Sequence, residues 1–259
     1  MQVSNSFLDN YPKQEGVYIL SEVKNQFESA YFEVREKEKR IYSDDELKNL
    51  PFATSNNPHV DEWKVRAKSF LRFRNYIQSK KDNLEILDLG CGNGWFSGQL
   101  AKSTPHNYHC VDVNLKELKQ ARRVFNSNKI NFIYADIFKT ELPNSFFNQI
   151  TINAAVQYFP VLKKLINKIF NFLSDEGEIH IIDSPFYNAS DIEAAKKRSE
   201  EYYNSLGFPA MSKKYFHHSF EELSKFNFDI LYDPKSIFNR IGKLFLQKNS
   251  PFPWIRIKK

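Results

Sequence analysis

The stretch Leu84–Gly98 reads LEILDLGCGNGWFSG, and it decides the fold. The chain holds eight glycines, and Gly90, Gly92, Gly94 and Gly98 all fall inside this window. A sequence this sparing with glycine spends it where the backbone needs a positive φ or where another group approaches closely. The apolar run Leu84–Leu89 predicts a buried parallel strand, and Trp95–Ala101 opens a helical pattern. Strand, glycine turn and helix together place a ligand-binding cradle at a helix N-terminus. A dinucleotide turn would read G-x-G-x-x-G, but Trp95 stands where the third glycine belongs. Asp88 precedes the turn, where a carboxylate repels a pyrophosphate and attracts a cation.

Asp88-Leu89-Gly90-Cys91-Gly92-Asn93-Gly94 resembles motif I of the class I S-adenosylmethionine (SAM)-dependent methyltransferases, E/D-x-G-x-G-x-G, without a gap. The resemblance covers Leu84–Ile182 and is broadly to the small-molecule, quinone-type (methyltransferase type 11-like) enzymes. It implies an α/β, three-layer Rossmann-like fold with a seven-stranded, mostly parallel sheet, an antiparallel last strand and an N-terminal helical cap. It also implies SAM as cofactor, with Asp88, Gly90, Cys91, Gly92, Asn93 and Gly94 in the cradle.

Downstream, Tyr108–Val113 reads as a second strand ending at Asp112, about 20 residues past the turn, where a carboxylate can accept from both hydroxyls of a ribose. Val113 follows it. Asn114 reads as the N-cap of a helix over Leu115–Phe125. Ile130–Tyr134 is a third strand, and Asp136 and Ile137 after it match the family position for the adenine amine and ring. Gln149–Asn153 is a fourth strand, with Asn153 expected beside the methionine part of the cofactor. Glu178–Asp183, Phe226–Tyr232 and Trp254–Ile257 complete the sheet, and Ser236–Gln247 reads as a helix before the last strand.

Two segments lie outside the sheet pattern. Residues 1–83 read as a mostly helical cap, with Ser43-Asp44-Asp45-Glu46 as a capping box. Phe27, Ala30, Tyr31, Val34 and Ile41 mark one helix face, and Arg35–Arg40 (REKEKR) reads as a solvated charge run. A second helix carries Trp63, Ala67, Phe70, Leu71 and Ile77 on one face. Its basic residues Lys64, Arg66, Lys68, Arg72 and Arg74 read as solvent-exposed or as a phosphate or carboxylate site. Residues 84–259 form the cofactor core, with a helical insertion at about 184–219. Ser190-Asp191-Ile192-Glu193 reads there as another capping box. Both outer segments are expected to close over the acceptor.

Methyl transfer from a sulfonium is an in-line displacement, so positioning matters more than a fixed acid or base. Tyr158, Asp183, His217 and Tyr31 are the candidates to face the acceptor's O, N or C nucleophile. No Cys or His cluster has metal-ligand spacing, and no metal is expected. With 24 Phe, 41% hydrophobic residues and a formal charge of +6, the chain can bury a full aromatic core. Its mixed charge points to solubility before nucleic-acid binding. Two cysteines, no 18-residue apolar run and no signal-peptide core point to a cytoplasmic protein without stable membrane insertion. The leading expectation is a small-molecule methyltransferase. An RNA methyltransferase is the alternative; Asn153 is followed by Ala-Ala-Val and not by the N-P-P-Y continuation of enzymes acting on nucleobase amines, which counts against methylation of an adenine or cytosine amine and not against RNA. A non-catalytic SAM-binding protein is the third.

The turn chemistry predicts that SAM and S-adenosylhomocysteine bind while NAD does not. Calorimetry with the three ligands checks this; NAD binding without a response to SAM would contradict it.

Overall fold

The protein is described by a computed structural model covering residues 7–23, 25–80, 82–236 and 249–259, with side chains from residue 31 onward in the first helix. The elements in chain order begin with β1 (Lys13–Gln14), β2 (Val17–Ile19), α1 (Asn25–Lys37), α2 (Asp44–Asn49) and α3 (Val60–Gln78). The core follows as β3 (Glu85–Leu89), α4 (Trp95–Ser103), β4 (Asn107–Asp112), α5 (Leu115–Val124), β5 (Ile130–Tyr134), β6 (Phe147–Asn153), α6 (Leu162–Phe172) and β7 (Leu173–Ile182). Then come β8 (Phe186–Tyr187), α7 (Ile192–Leu206), α8 (Pro209–Ser212), β9 (His218–Ser219), α9 (Phe220–Leu223), β10 (Asn227–Tyr232) and β11 (Trp254–Lys258).

The main sheet runs β1-β2-β5-β4-β3-β6-β7-β11-β10. Its five central strands are parallel, and β11 lies antiparallel to both β7 and β10. The seven expected strands are therefore present, in the expected Rossmann-like arrangement. Chain order reverses between β3 and β6, which puts the ligand crevice at their C-terminal ends.

Two additional strands come from the segment read as helical. The hairpin β1–β2 turns at Glu15-Gly16, and Tyr18 and Ile19 pair in parallel with Ile133 and Tyr134. Two- and three-residue strands at a sheet edge are too short to show a period.

Helices cover both faces. On one side α3, α4 and α5 bury Phe70, Phe73, Phe96 and Phe125 against Ile86, Tyr108 and Phe132. On the other, α6 packs Leu165, Ile166 and Ile169 against Leu87, Ile150 and Ile179. The expected aromatic core is real. Phe73 alone has ring contacts with Tyr76, Phe96, His180 and Trp254 at 5.3–6.4 Å. The first 83 residues share this core, because Leu8, Val17, Leu47 and Leu50 are fully or almost fully buried.

Local signals fare unevenly. Ser43 and Glu46 form the expected capping box, and Asn114 caps α5 through Glu117 N–H. Gly207 ends α7 with φ 87°. The box expected at Ser190 does not form, since Ala189–Asp191 already make a 3-10 turn and Ser190 sits inside it. A capping box forms instead at Ser219 and Glu222. Residues 237–248, most of the helix expected over Ser236–Gln247, lie outside the described residues, as do the side chains of Phe27 and Ala30.

Asp88, the penultimate residue of β3, is 1% exposed and accepts from Ser97 Oγ at 2.7 Å and Thr151 Oγ1 at 2.9 Å. Burial pushes its carboxyl up to about 6 against these two hydrogen bonds. A carboxyl whose pKa is higher folded than unfolded holds its proton better when folded. Its contribution to stability is therefore complete at low pH and falls as pH rises from about 4 to about 6. The full change in stability across this range is roughly 3 kcal/mol. Asp88→Asn should remove this dependence. Urea denaturation at pH 4 and pH 7 should show the variant gaining on the wild type by on the order of 2–3 kcal/mol; an unchanged difference between the two pH values would contradict a raised Asp88 pKa.

Candidate active site

The turn after β3 is held from the neighbouring strand. Gly90 N–H and Cys91 N–H both donate to Val111 O, at 2.8 and 3.2 Å, and Gly94 N–H donates to Cys91 O at 2.9 Å. Gly94 has φ 69°, and a Cβ there would lie 2.7 Å from Phe132, so neither conformation nor space admits a side chain. Gly92 has φ 52°, which disfavours a side chain, and lines both cavities; a Cβ there would lie 3.3 Å from Glu117 Oε2.

Asp112, at the end of β4, reaches back to this turn. Its Oδ2 accepts from Gly92 N–H at 2.8 Å, and its Oδ1 accepts from Asn114 N–H at 2.8 Å. The same carboxylate lines the crevice, where its two oxygens are of the acceptor type a diol requires.

Two cavities meet at the turn. The first, about 490 Å³, is lined by Asp112, Val113, Tyr134, Asp136, Ile137 and Val161, among others. Asp136 is fixed there by its own backbone: its N–H donates to Ser21 Oγ at 3.0 Å, and its Oδ1 accepts from Phe138 N–H at 3.1 Å. The second, about 380 Å³, is lined by Cys91, Asn93, Asn153, Gln157 and a set of arginines and tyrosines. Gly90, Gly92, Ala154, Tyr31 and Tyr158 border both. Asn153 Oδ1 and Gln157 Oε1, in the wall of the second cavity, are buried without a hydrogen-bond donor among the described residues.

These acceptors fit SAM. The first cavity offers carboxylates for a ribose diol and an adenine amine, with Ile137 and Val161 as apolar wall. The second begins with orphaned carbonyl oxygens suited to an ammonium donor. Asp112, Val113, Asp136, Ile137, Gly90, Gly92, Cys91, Asn93 and Asn153 are thus brought together, as expected from sequence.

Other expected site residues stand elsewhere. Asp88 lines neither cavity. Its carboxylate is engaged by Ser97 and Thr151 beneath the turn, so the expectation of a direct cationic contact is corrected to a supporting one. Gly94 is the buried N-cap of α4 and touches neither cavity. Asp183 accepts from Ser69 Oγ at 2.7 Å and Ser250 Oγ at 2.9 Å, away from both cavities. His217 stands behind the wall, with Nε2 2.9 Å from the Oγ of the lining residue Ser199. Burial pushes the Cys91 thiol well up, aided by Cys110 beside it, which keeps it protonated and unreactive. Of the four acceptor-facing candidates, Tyr31 and Tyr158 line the cavities, their rings edge-to-face at 6.0 Å.

Sequence reasoning missed the charged wall. Arg35 and Arg40, read as a solvated run, line the second cavity together with Glu38, Glu62, Arg66 and Arg198. Glu62 accepts from Arg40 Nη1 at 3.0 Å and from Arg66 Nε at 2.9 Å. Burial alone would raise its carboxyl, but these guanidinium groups outweigh burial and hold it at about 2. The mixed signs that suggested solvation in fact pair inside the cavity.

Asp112→Ala should weaken SAM binding at least tenfold, since charge-assisted hydrogen bonds contribute about 1.5–3 kcal/mol each. Asp136→Ala should weaken it less, because one contact to a neutral amine is lost. Calorimetry on both variants decides; unchanged affinity in Asp112→Ala would remove that residue from the site.

The comparisons with known proteins agree with this geometry. The profile of a methyltransferase-domain family matches residues 80–224, more than half of the chain. An uncharacterized methyltransferase of Mycobacterium bovis is 28% identical over 97 residues, 38% of this chain and 49% of that protein. A malonyl-[acyl-carrier protein] O-methyltransferase of Bacillus cereus is 25% identical over 168 residues, 63% of this chain and 61% of that protein. The chain thus spans about half to three fifths of the length of these relatives. In fold, it is similar to a phosphoethanolamine N-methyltransferase of Haemonchus contortus solved with S-adenosylhomocysteine, at a TM-score of 0.56 and 15% identity, over 84% of this chain and 60% of that one. An acid-led glycine turn, a carboxylate closing the next strand and a family profile spanning both make the chain a member of the class I SAM-dependent methyltransferase family.

Proposed function

We propose that the protein transfers a methyl group from SAM to a small-molecule acceptor held in the second cavity. The observation that carries this reading is the junction of the two cavities at Gly90, Gly92, Ala154, Tyr31 and Tyr158. The first cavity takes the adenosine part, and the junction is where cofactor and acceptor meet. An open space of about 380 Å³ beside an intact turn supports catalysis over a binding-only role, and its volume suits a small molecule.

When bound, SAM supplies an activated methyl group with a good leaving group. The chain's own task is to orient and to exclude water. Asp112 and Asp136 fix the adenosine end. Asn153 and Gln157 supply acceptors at the methionine end. Burial raises the Tyr158 and Tyr31 hydroxyls, so both are neutral at physiological pH and can donate or accept a hydrogen bond without serving as a strong base. This suits an acceptor that needs orientation more than deprotonation.

Residues 1–83 act in this reading as a substrate-selecting cap, and the insertion at about 184–219 acts as its counterpart on the core of residues 84–259. Tyr31 and Val34 of α1 pack with Tyr203 of α7 and Met211 of α8. The hydroxyl of Tyr202 donates to Glu38 across the same gap. The two segments thereby roof the second cavity together. Among the described residues no helix is long and apolar enough to cross a membrane. A cytoplasmic location is part of the same proposal.

Production of S-adenosylhomocysteine should depend on a small molecule from a panel of phenols, amines and carboxylic acids, and bulk RNA should not stimulate it. Ser199→Trp, on the wall away from the turn, should leave SAM affinity within about threefold and reduce turnover at least tenfold by filling the cavity. Turnover on RNA alone, or full turnover in Ser199→Trp, would contradict the assignment.

A further inference from the structure

We propose that the acceptor is anionic and that Arg35 receives its carboxylate or phosphate group; this rests on the methyl-transfer reading above. The second cavity has four arginines in its wall against three glutamates, which leaves one positive charge. The pairing inside that set is uneven. Arg40 and Arg66 share Glu62. Glu38 lies 3.4 Å from Arg40 Nε and receives the Tyr202 hydroxyl. Arg35 Nη1 is 4.0 Å from Glu38, beyond hydrogen-bond distance, and its Nε is buried with no acceptor among the described residues.

A buried guanidinium N–H without an acceptor is costly, and a planar two-oxygen anion is the group that satisfies it. Glu117, beside the glycine turn, and Glu38 both act on Arg35 through space and hold its guanidinium charged. Neither accepts from its Nε, so that N–H is still without an acceptor among the described residues. Arg198 of α7 adds a second positive group to the same wall and has no acidic partner within 4.0 Å among the described residues.

The body of the acceptor meets aromatic rings. Tyr31, Tyr158, Tyr215 and Tyr203 form a continuous chain, with successive centroids 6.0–6.1 Å apart. Burial raises all four hydroxyls, so each remains a neutral O–H at physiological pH. Neutral hydroxyls beside guanidinium groups offer donors to an anion, and the ring faces suit a flat or apolar remainder. A cationic acceptor would instead face Arg35 and Arg198.

The test uses the full chain saturated with S-adenosylhomocysteine and three probes of one shape: benzoate, phenyl phosphate and benzamide. Ligand-observed NMR titration should show one of the anions binding about tenfold tighter than neutral benzamide. The better anion identifies carboxylate or phosphate as the natural group. R35Q should abolish the preference while S-adenosylhomocysteine affinity stays within about twofold, and R35K, which keeps the charge but not the fork, should retain part of it. R35K also serves if R35Q fails to fold. No preference for either anion in the wild type, or an undiminished preference in the folded R35Q or R35K protein, overturns the proposal. A wild type that does not bind S-adenosylhomocysteine overturns the methyl-transfer reading itself, and this outcome is scored separately before any probe is added.

Discussion

One carboxylate connects the parts of this site. Asp112 accepts from Gly92 N–H with one oxygen and from Asn114 N–H with the other. The first bond fixes the glycine turn after β3 against the end of β4. The second closes the short turn that leads to Asn114, which itself caps α5. A strand end, a glycine turn and a helix start are thus tied to a single side chain. Asp112 also lines the first cavity, so the group that shapes the cradle is one that faces its open space. Asp88 supports the same turn from below, by anchoring β3 to α4 through Ser97 and to β6 through Thr151.

The roof over the second cavity is built on a different principle. Its charged groups lie in an environment that penalises isolated charge, and they persist there because they pair. Glu62 takes two guanidinium groups, Glu38 sits between Arg35 and Arg40, and the tyrosines fill the remaining surface with neutral donors. The packing of Val34, Tyr203 and Met211 joins α1 to the α7–α8 insertion. Neither segment alone encloses the space.

The cofactor half of the site was legible in the sequence because its signals are short-range. Strand, glycine turn and helix occupy Glu85–Ser103 without interruption, Asp112 ends β4, and Asp136 lies two residues past the end of β5. What the sequence concealed depends on long-range partners. The role of Asp88 is set by Thr151, 63 residues away, and Asp183 is drawn from the acceptor side by Ser69, 114 residues away. The run Arg35–Arg40 has the composition of a solvated helix face, and only the approach of Glu62 and Tyr202 reveals it as a cavity wall. The β1–β2 hairpin was hidden by its brevity, although Glu15-Gly16 between Lys13-Gln14 and Val17–Ile19 is a turn signal in hindsight.

The central claim is that cofactor and acceptor occupy two cavities joined at the glycine turn. A crystal structure of the protein with S-adenosylhomocysteine tests it most directly. The account predicts adenine beside Asp136 and Ile137, ribose hydroxyls on Asp112 and the amino-acid end near Asn153, with the arginine- and tyrosine-lined cavity left open. Electron density for the ligand in that second cavity, or away from Asp112, would contradict it.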